Sequence, residues 1–142
     1  MYSKMNITRR NLAALAPALA TIARAQEATL PSKTYRFEDL PVRQNGPNTS
    51  RAILRGLTHS GFPIEMHETE LGAGLAPHPP HHHVHEEIVI VLEGTLDVTV
   101  NAASSKLGPG SVVYFASNDE HGFRNIGDGR ARYCVMALGR DN

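Results

Sequence analysis

The chain has 142 residues, 41% of them hydrophobic, with 14 basic and 14 acidic side chains and a formal net charge of zero. That length supports one domain with a core of its own and leaves no room for two. The balanced charge gives no basic surface for nucleic acid or an anionic membrane, and the lone cysteine, Cys134, excludes an internal disulfide.

In chain order, the first segment is built like an export signal. Thr8-Arg9-Arg10-Asn11-Leu12 resembles a twin-arginine signal, and the weakly apolar run LAALAPALATIA and the small-residue pattern Ala23-Arg24-Ala25 follow it. Twelve residues of helix span roughly 18 Å, short of the ~30 Å hydrocarbon core, so no stable membrane span is expected. Residues 1–25 are therefore read as removed on export to the periplasm or the exterior. Their removal takes Lys4, Arg9, Arg10 and Arg24 and no acid, leaving 10 basic residues against 14 acidic ones, a balance of −4.

Residues 26–50 read as a linker and edge strand, and 51–142 as the folded domain. Thr34 to Phe37 alternates like a short strand, and the turn-rich PVRQNGPNTS reads as loop. Strands are expected over Arg51–Thr58 and Phe62–Leu71, joined by a turn holding His59. Glu65, His67 and Thr69 share one strand face, which parity leaves open to solvent or to the barrel lumen; three polar residues together favour solvent. Leu71 to Pro80 is loop, with His78 at its rim. Ile88–Leu92 and Thr95–Val100 are expected to pair as a tight hairpin at Glu93-Gly94. Asn101–Gly110 reads as turn, and strands follow at Ser111–Phe115, His121–Ile126 and Arg132–Leu138. Cys134, in RYCVMAL, reads as a small core residue. No segment after the signal has helical periodicity, so short strands and regular turn residues predict an all-β barrel or jelly roll.

Five of the eight histidines fall within residues 78–85, before Glu86, Glu87 and the apolar run IVIVL. Imidazole and carboxylate together suit a divalent first-row metal. In extended chain His81 and His83 share a side and His82 points away. Glu87 would lie roughly 13 Å beyond His83 on a continuous strand, so it can join them only if the chain turns between Val84 and Glu86. The competing reading is a loose surface tract that scavenges metal at several weak sites. His121, after the turn residues SNDE, is the one histidine beyond the cluster and would have to come from a distant strand.

These two stretches resemble the two motifs of the cupin superfamily. The first runs glycine, five residues, His-x-His, three or four residues, glutamate, six residues, glycine. Here Gly74 precedes six residues, then come His81-His82-His83, three residues, Glu87, six residues and Gly94. The second runs glycine, five residues, Pro-x-Gly, two residues, histidine, three residues, asparagine. Here Gly110, Ala116, Asn118, His121 and Asn125 take those places, with Ala116 for proline and Asn118 for glycine. Asparagine tolerates the left-handed backbone a turn glycine supplies, so the turn can survive.

The resemblance implies a single-domain cupin β-barrel that often dimerises, with His81, His83, Glu87 and His121 as ligands of one divalent transition metal. Manganese or iron is expected first, with nickel, copper or zinc also compatible, because the twin-arginine route carries folded proteins and allows the ion to be trapped before export. Val89 and Val91 share the parity of Glu87, and Phe123 that of His121, so these three and His85 are the candidate contacts for a small oxygen-bearing substrate. Asn125 is expected to be structural. The expected function is an exported metal-dependent enzyme, with dioxygenase-like or Lewis-acid isomerase or lyase chemistry; the alternative is a non-catalytic module that holds a metal or small ligand. Glu68, His67, His85 and Tyr114 are the side chains available as general acid or base, and sequence fixes none of them.

Overall fold

A computed structural model describes residues 27–141. Nine strands and one short 3-10 turn make up the fold, and there is no α-helix among the described residues. The strands are β1 (Val42–Asn45), β2 (Asn48–Leu57), β3 (Pro63–Leu71), β4 (Glu86–Glu93), β5 (Leu96–Val100), β6 (Ala103–Leu107), β7 (Val112–Phe115), β8 (His121–Asn125) and β9 (Ala131–Leu138). They form a six-stranded sheet in the order β1-β2-β3-β9-β4-β7 and a three-stranded sheet in the order β6-β5-β8. All pairings between these strands are antiparallel. Two sheets face each other around one apolar interior, the all-β jelly roll that the short alternating segments predict.

The interior is set by strand parity. Val89 and Val91 on β4, Tyr133 and Val135 on β9, Leu96 and Val98 on β5, and Phe115 and Phe123 on β7 and β8 are each 6% exposed or less. Opposite faces of the same strands carry Ile90, Leu92, Val112 and Tyr114, all exposed. Alternation therefore selects which side of each strand is buried.

Several expectations about elements are corrected. Thr34 to Phe37 is no strand: the chain makes a 3-10 turn at Phe37–Asp39, and the Phe37 ring lies under Arg51 and Arg132, with guanidinium carbons 4.6 and 5.6 Å from its centroid. The edge contact comes earlier, where Thr29 bridges Leu57 and Leu30 donates its N–H to the Leu57 carbonyl at 2.8 Å. PVRQNGPNTS is not loop but the β1–β2 hairpin, turning at Gly46 with φ +60°. Its polar residues suit a rim whose pairing is made by backbone, with one side-chain link, Thr49 Oγ1 to Gln44 Oε1 at 3.2 Å. Asn101–Gly110 contains β6, an exposed polar strand that hydrophobic patterning does not reveal.

The tight hairpin between β4 and β5 does not form either. β4 pairs with β7 and β9, β5 pairs with β6 and β8, and the chain passes from one sheet to the other at Gly94. Gly94 has φ +79°, and a Cβ there would sit 2.7 Å from the Arg130 carbonyl oxygen and 2.8 Å from Ala131 Cα. The corner requires glycine on both counts.

His67 also faces the other way from expectation. It pairs in register with Ala52 and Val135, and Thr69 pairs with Tyr133, so the Glu65-His67-Thr69 face is the inner one. Polar residues here line a cavity instead of meeting bulk solvent. The other face of β3 carries Glu68, 6% exposed, between Arg51 and Arg132 at 3.9 and 3.4 Å.

Candidate metal centre

His81 and His121 lie opposite each other in an isolated antiparallel bridge, each donating its N–H to the other's carbonyl, at 3.0 and 2.9 Å. This bridge fastens the histidine-rich loop to β8. Gly122 allows the approach, since Pro80 atoms would lie 3.0 Å from any Cβ there. After His81 the chain leaves extended geometry and re-enters strand at Glu86. That is the turn Glu87 needs in order to come back toward His83.

Four hydrogen bonds hold the turn. His83 Nδ1 donates to the His85 carbonyl at 2.7 Å, and the Asn118 N–H donates to the His83 carbonyl at 2.8 Å. Asp141 Oδ1 accepts from the backbone N–H groups of Val84 and His85 at 3.0 and 3.2 Å. Asn118 itself has φ +64°, the left-handed conformation expected of it in place of glycine. Asp141 was not legible in sequence: it lies 54 residues past Glu87, beyond any local motif.

The turn and the bridge bring His81, His83 and His121 together, each offering a ring nitrogen within 4.8 Å of the others. Glu87 reaches two of them, with Oε1 3.4 Å from His83 Nε2 and Oε2 3.5 Å from His121 Nε2. Donors bound to one ion at about 2.1 Å stand roughly 3 to 3.4 Å apart, so the two Glu87 contacts lie close to the spacing of ligands that share an ion. Ring nitrogens supply the stronger observation. His81 Nδ1, His83 Nε2 and His121 Nε2 are buried and have no hydrogen-bond partner. His83 and His121 have their Nδ1–H groups committed to the carbonyls of His85 and Asp119, at 2.7 and 2.9 Å, which leaves the Nε2 lone pairs unused. Neutral, oriented imidazole with an orphaned lone pair is the form that binds a metal. A buried polar atom left without a partner costs free energy, and a bound ion relieves all three at once.

The electrostatics favour neutral His81 and charged Glu87 and act the other way on His121. Burial, followed by the neighbouring His78, His121 and His83, pulls His81 down from 6.5 to about 4, so it is neutral at physiological pH. Burial alone would raise Glu87, but His121, His83 and His85 outweigh it and bring its carboxyl from 4.5 to about 2. For His121 burial acts downward, and Glu87 and the Asp119 carbonyl reverse the sign.

The remaining candidates are placed as follows. Val89 and Val91, 0% and 1% exposed, form the packed layer beneath the site. Phe123 lines the cavity and stacks on Tyr133 with ring centroids 4.9 Å apart, while Phe115 stacks on His121 at 4.2 Å. His85 lies outside the cavity wall: it stacks on His83 at 3.6 Å, with Nε2 3.2 Å from Glu87 Oε1 and Nδ1 2.9 Å from Asp141 Oδ1. His82 is exposed, and His78 sits at the cavity mouth. Asn125, fully buried, reaches the carbonyls of Leu71, Gly72 and Gly129 through Nδ2 and accepts the Gly127 N–H, a structural role.

A cavity of about 200 Å³ adjoins His81 and Glu87 and is bounded by β1, β2, β3 and the β9 residues Tyr133 and Val135. Tyr133 and Thr69 were not anticipated, although Tyr133 has the parity of the core residue Val135. Burial raises the Tyr133 phenol above its usual range, so its hydroxyl stays protonated. The cavity is smaller than the few hundred Å³ typical of ligand sites and admits only a small molecule.

Facing antiparallel sheets with three imidazoles gathered inside make a barrel with a group that could hold a metal ion. The family model described as Cupin domain matches residues 67–137, half of the chain, and the chain belongs to this family. Solved structures share the fold. An RmlC-like cupin from Shewanella frigidimarina is 17% identical with TM-score 0.63, over 77% of this chain and 93% of that one. The polyketide cyclase RemF from Streptomyces resistomycificus is 21% identical with TM-score 0.62, over 78% and 82%. A predicted oxalate decarboxylase from Thermotoga maritima is 15% identical with TM-score 0.63, over 76% and 100%. At these identities the likeness concerns the fold. No curated protein matches the chain.

Proposed function

We infer that the protein is a metal-dependent cupin enzyme acting on a small oxygen-bearing molecule, with His81, His83, Glu87 and His121 holding one divalent ion. The observation that carries this reading is the set of three buried ring nitrogens without partners, two of them within 3.5 Å of the Glu87 carboxylate. A divalent ion on three neutral imidazoles and one carboxylate keeps a net charge of about +1 and supplies a centre that polarises a carbonyl or acidifies a bound hydroxyl. The chain's own residues do the rest: Phe123, Tyr133 and Val135 give the cavity an apolar wall, and Thr69 and His67 give it a polar one. That mixture favours a compact molecule with both a hydrocarbon side and oxygen atoms. Manganese or iron is the proposed ion, and isomerase or lyase chemistry and dioxygenase-like chemistry are the reaction classes it serves.

Elemental analysis of protein isolated from its own compartment tests the ion: one manganese or iron per chain is expected. Turnover of small diols, diketones or phenols by that protein separates the enzyme from a binding module, which would hold such molecules without converting them. The export reading rests on Thr8 to Leu12 and on Ala23-Arg24-Ala25, which lie outside the described residues. A mature N-terminus at Gln26, read by mass spectrometry of periplasmic or secreted protein, is its expected result. A homodimer is proposed through the outer face of β4 and β7, where Ile90, Leu92, Val112 and Tyr114 are 37% to 59% exposed. Sedimentation is expected to give twice the chain mass, and Leu92→Asp to reduce it to one.

A further inference from the structure

The fold separates the side chains able to carry a proton. Glu68 is held by Arg51 and Arg132 on the outer face of β3. Tyr114, also on an outer face, donates its hydroxyl to Glu86 at 2.6 Å. His85 is held between Asp141 and Glu87 and does not border the cavity. His67 is the one of these four on the wall of the cavity that His81 and Glu87 also line.

The surroundings of His67 are those of an oriented base. Its Nδ1 lies 3.0 and 3.2 Å from the two Glu65 carboxylate oxygens, and both side chains are about one-third exposed, 31% and 30%. An Nδ1–H given to a carboxylate fixes the tautomer and leaves Nε2 as the acceptor. Nε2 makes no hydrogen bond with the described residues. His67 also borders a wider, more open cleft whose lining includes Glu65 and residues 39–43, so its side chain is shared by the two spaces. Among the described residues no lysine or arginine lines the cavity beside His81 and Glu87, which therefore offers no basic side chain to an anionic substrate.

We propose that His67, oriented by Glu65, is the acid–base catalytic residue of this site, exchanging a proton with a small neutral hydroxycarbonyl compound bound in the cavity that His81 and Glu87 line. In the step, Nε2 takes the proton from the carbon beside the carbonyl, and the electron pair of that C–H bond moves into the carbonyl system. Glu65 accepts the Nδ1–H bond throughout and balances the positive charge on the ring. Exchange of the ring-bound proton with solvent before it returns to the same carbon gives labelled substrate; its delivery to the former carbonyl carbon, with the neighbouring hydroxyl proton passing to the former carbonyl oxygen, gives an isomer. No oxidant or reductant is consumed. The proposal rests on the metal-centre reading above and adds to it the residue and the substrate class.

The test is deuterium incorporation into hydroxyacetone in D2O, followed by mass spectrometry, with full-length protein carrying the metal it is purified with. Wild type is expected to exchange faster than buffer, and His67→Gln to lose about 100-fold while retaining its metal. Added imidazole is expected to restore exchange to His67→Gly, which a purely structural histidine would not allow. Glu65→Gln is expected to lose about 10-fold in rate with hydroxyacetone affinity unchanged, consistent with orientation of a general base. His59→Gln, in an exposed turn, is the control and exchanges like wild type. A fully metallated His67→Gln protein exchanging at the wild-type rate overturns this proposal alone, as does fully metallated wild type no faster than buffer. Wild type that carries no metal overturns it together with the reading it rests on.

Discussion

Glu87 and His81 illustrate how the same burial acts in opposite directions on an acid and a base, and how neighbours decide the result. In metal-free protein, His81 is harder to protonate folded than unfolded, so its contribution to stability is full above pH 6.5 and is lost as pH falls toward about 4. Glu87 holds its charge more firmly folded than unfolded, so its contribution is full above pH 4.5 and is lost as pH falls toward about 2. The melting temperature of metal-free protein is therefore expected to fall in two stages on acidification, with His81→Ala removing the first and Glu87→Gln the second. A single transition unaffected by either substitution would contradict this. Cys134 gives a second prediction at this scale. Burial, with Glu68 and Glu65 adding to it, pushes its thiol up to about 11, and the residue is 8% exposed. Iodoacetamide at pH 8 is expected to leave native protein unmodified and to label it only on unfolding.

At the scale of elements, the turn from His83 to Glu86 is the part on which the site depends, and it is tied down from the far end of the chain. Asp141 binds two backbone N–H groups of the turn and the ring of His85, which in turn contacts Glu87. Asp141→Ala is expected to weaken metal binding by about 10-fold or more, as loss of an outer partner of a ligand does, while the melting temperature of metal-free protein changes little. Equal affinity in the two proteins, measured by competition with a chelator, would show that the tail is incidental. Gly94→Ala is expected to lower stability by at least about 1 kcal/mol, because the corner has positive φ and contacts Ala131 closely. Urea unfolding measures it.

These elements also show what could be read in advance. Strands that bury one face, such as IVIVL and RYCVMAL, announce themselves through apolar residues, and the spacing of His81, His83 and Glu87 required a turn that is present. The β1–β2 hairpin and β6 carry mostly polar side chains held by backbone pairing, so hydrophobic pattern says nothing of them. His67 misled because polar residues on one strand face mark solvent in most sheets and a cavity in this one. Asp141 acts across the barrel, and no local pattern announces such a contact.

At the scale of the whole molecule, the barrel gathers the proposed ligands from the loop before β4, from β4 itself and from β8, whose strands belong to different sheets. An ion at that point would tie the two sheets together, and its binding energy would add to folding stability. The most direct test is calorimetric titration of metal-free protein with manganese, and then with zinc, against His121→Ala. The account predicts one site per chain in wild type, a melting temperature that rises with added metal, and loss of that site in His121→Ala. Several weak sites in wild type, or a site that survives in His121→Ala, would contradict it.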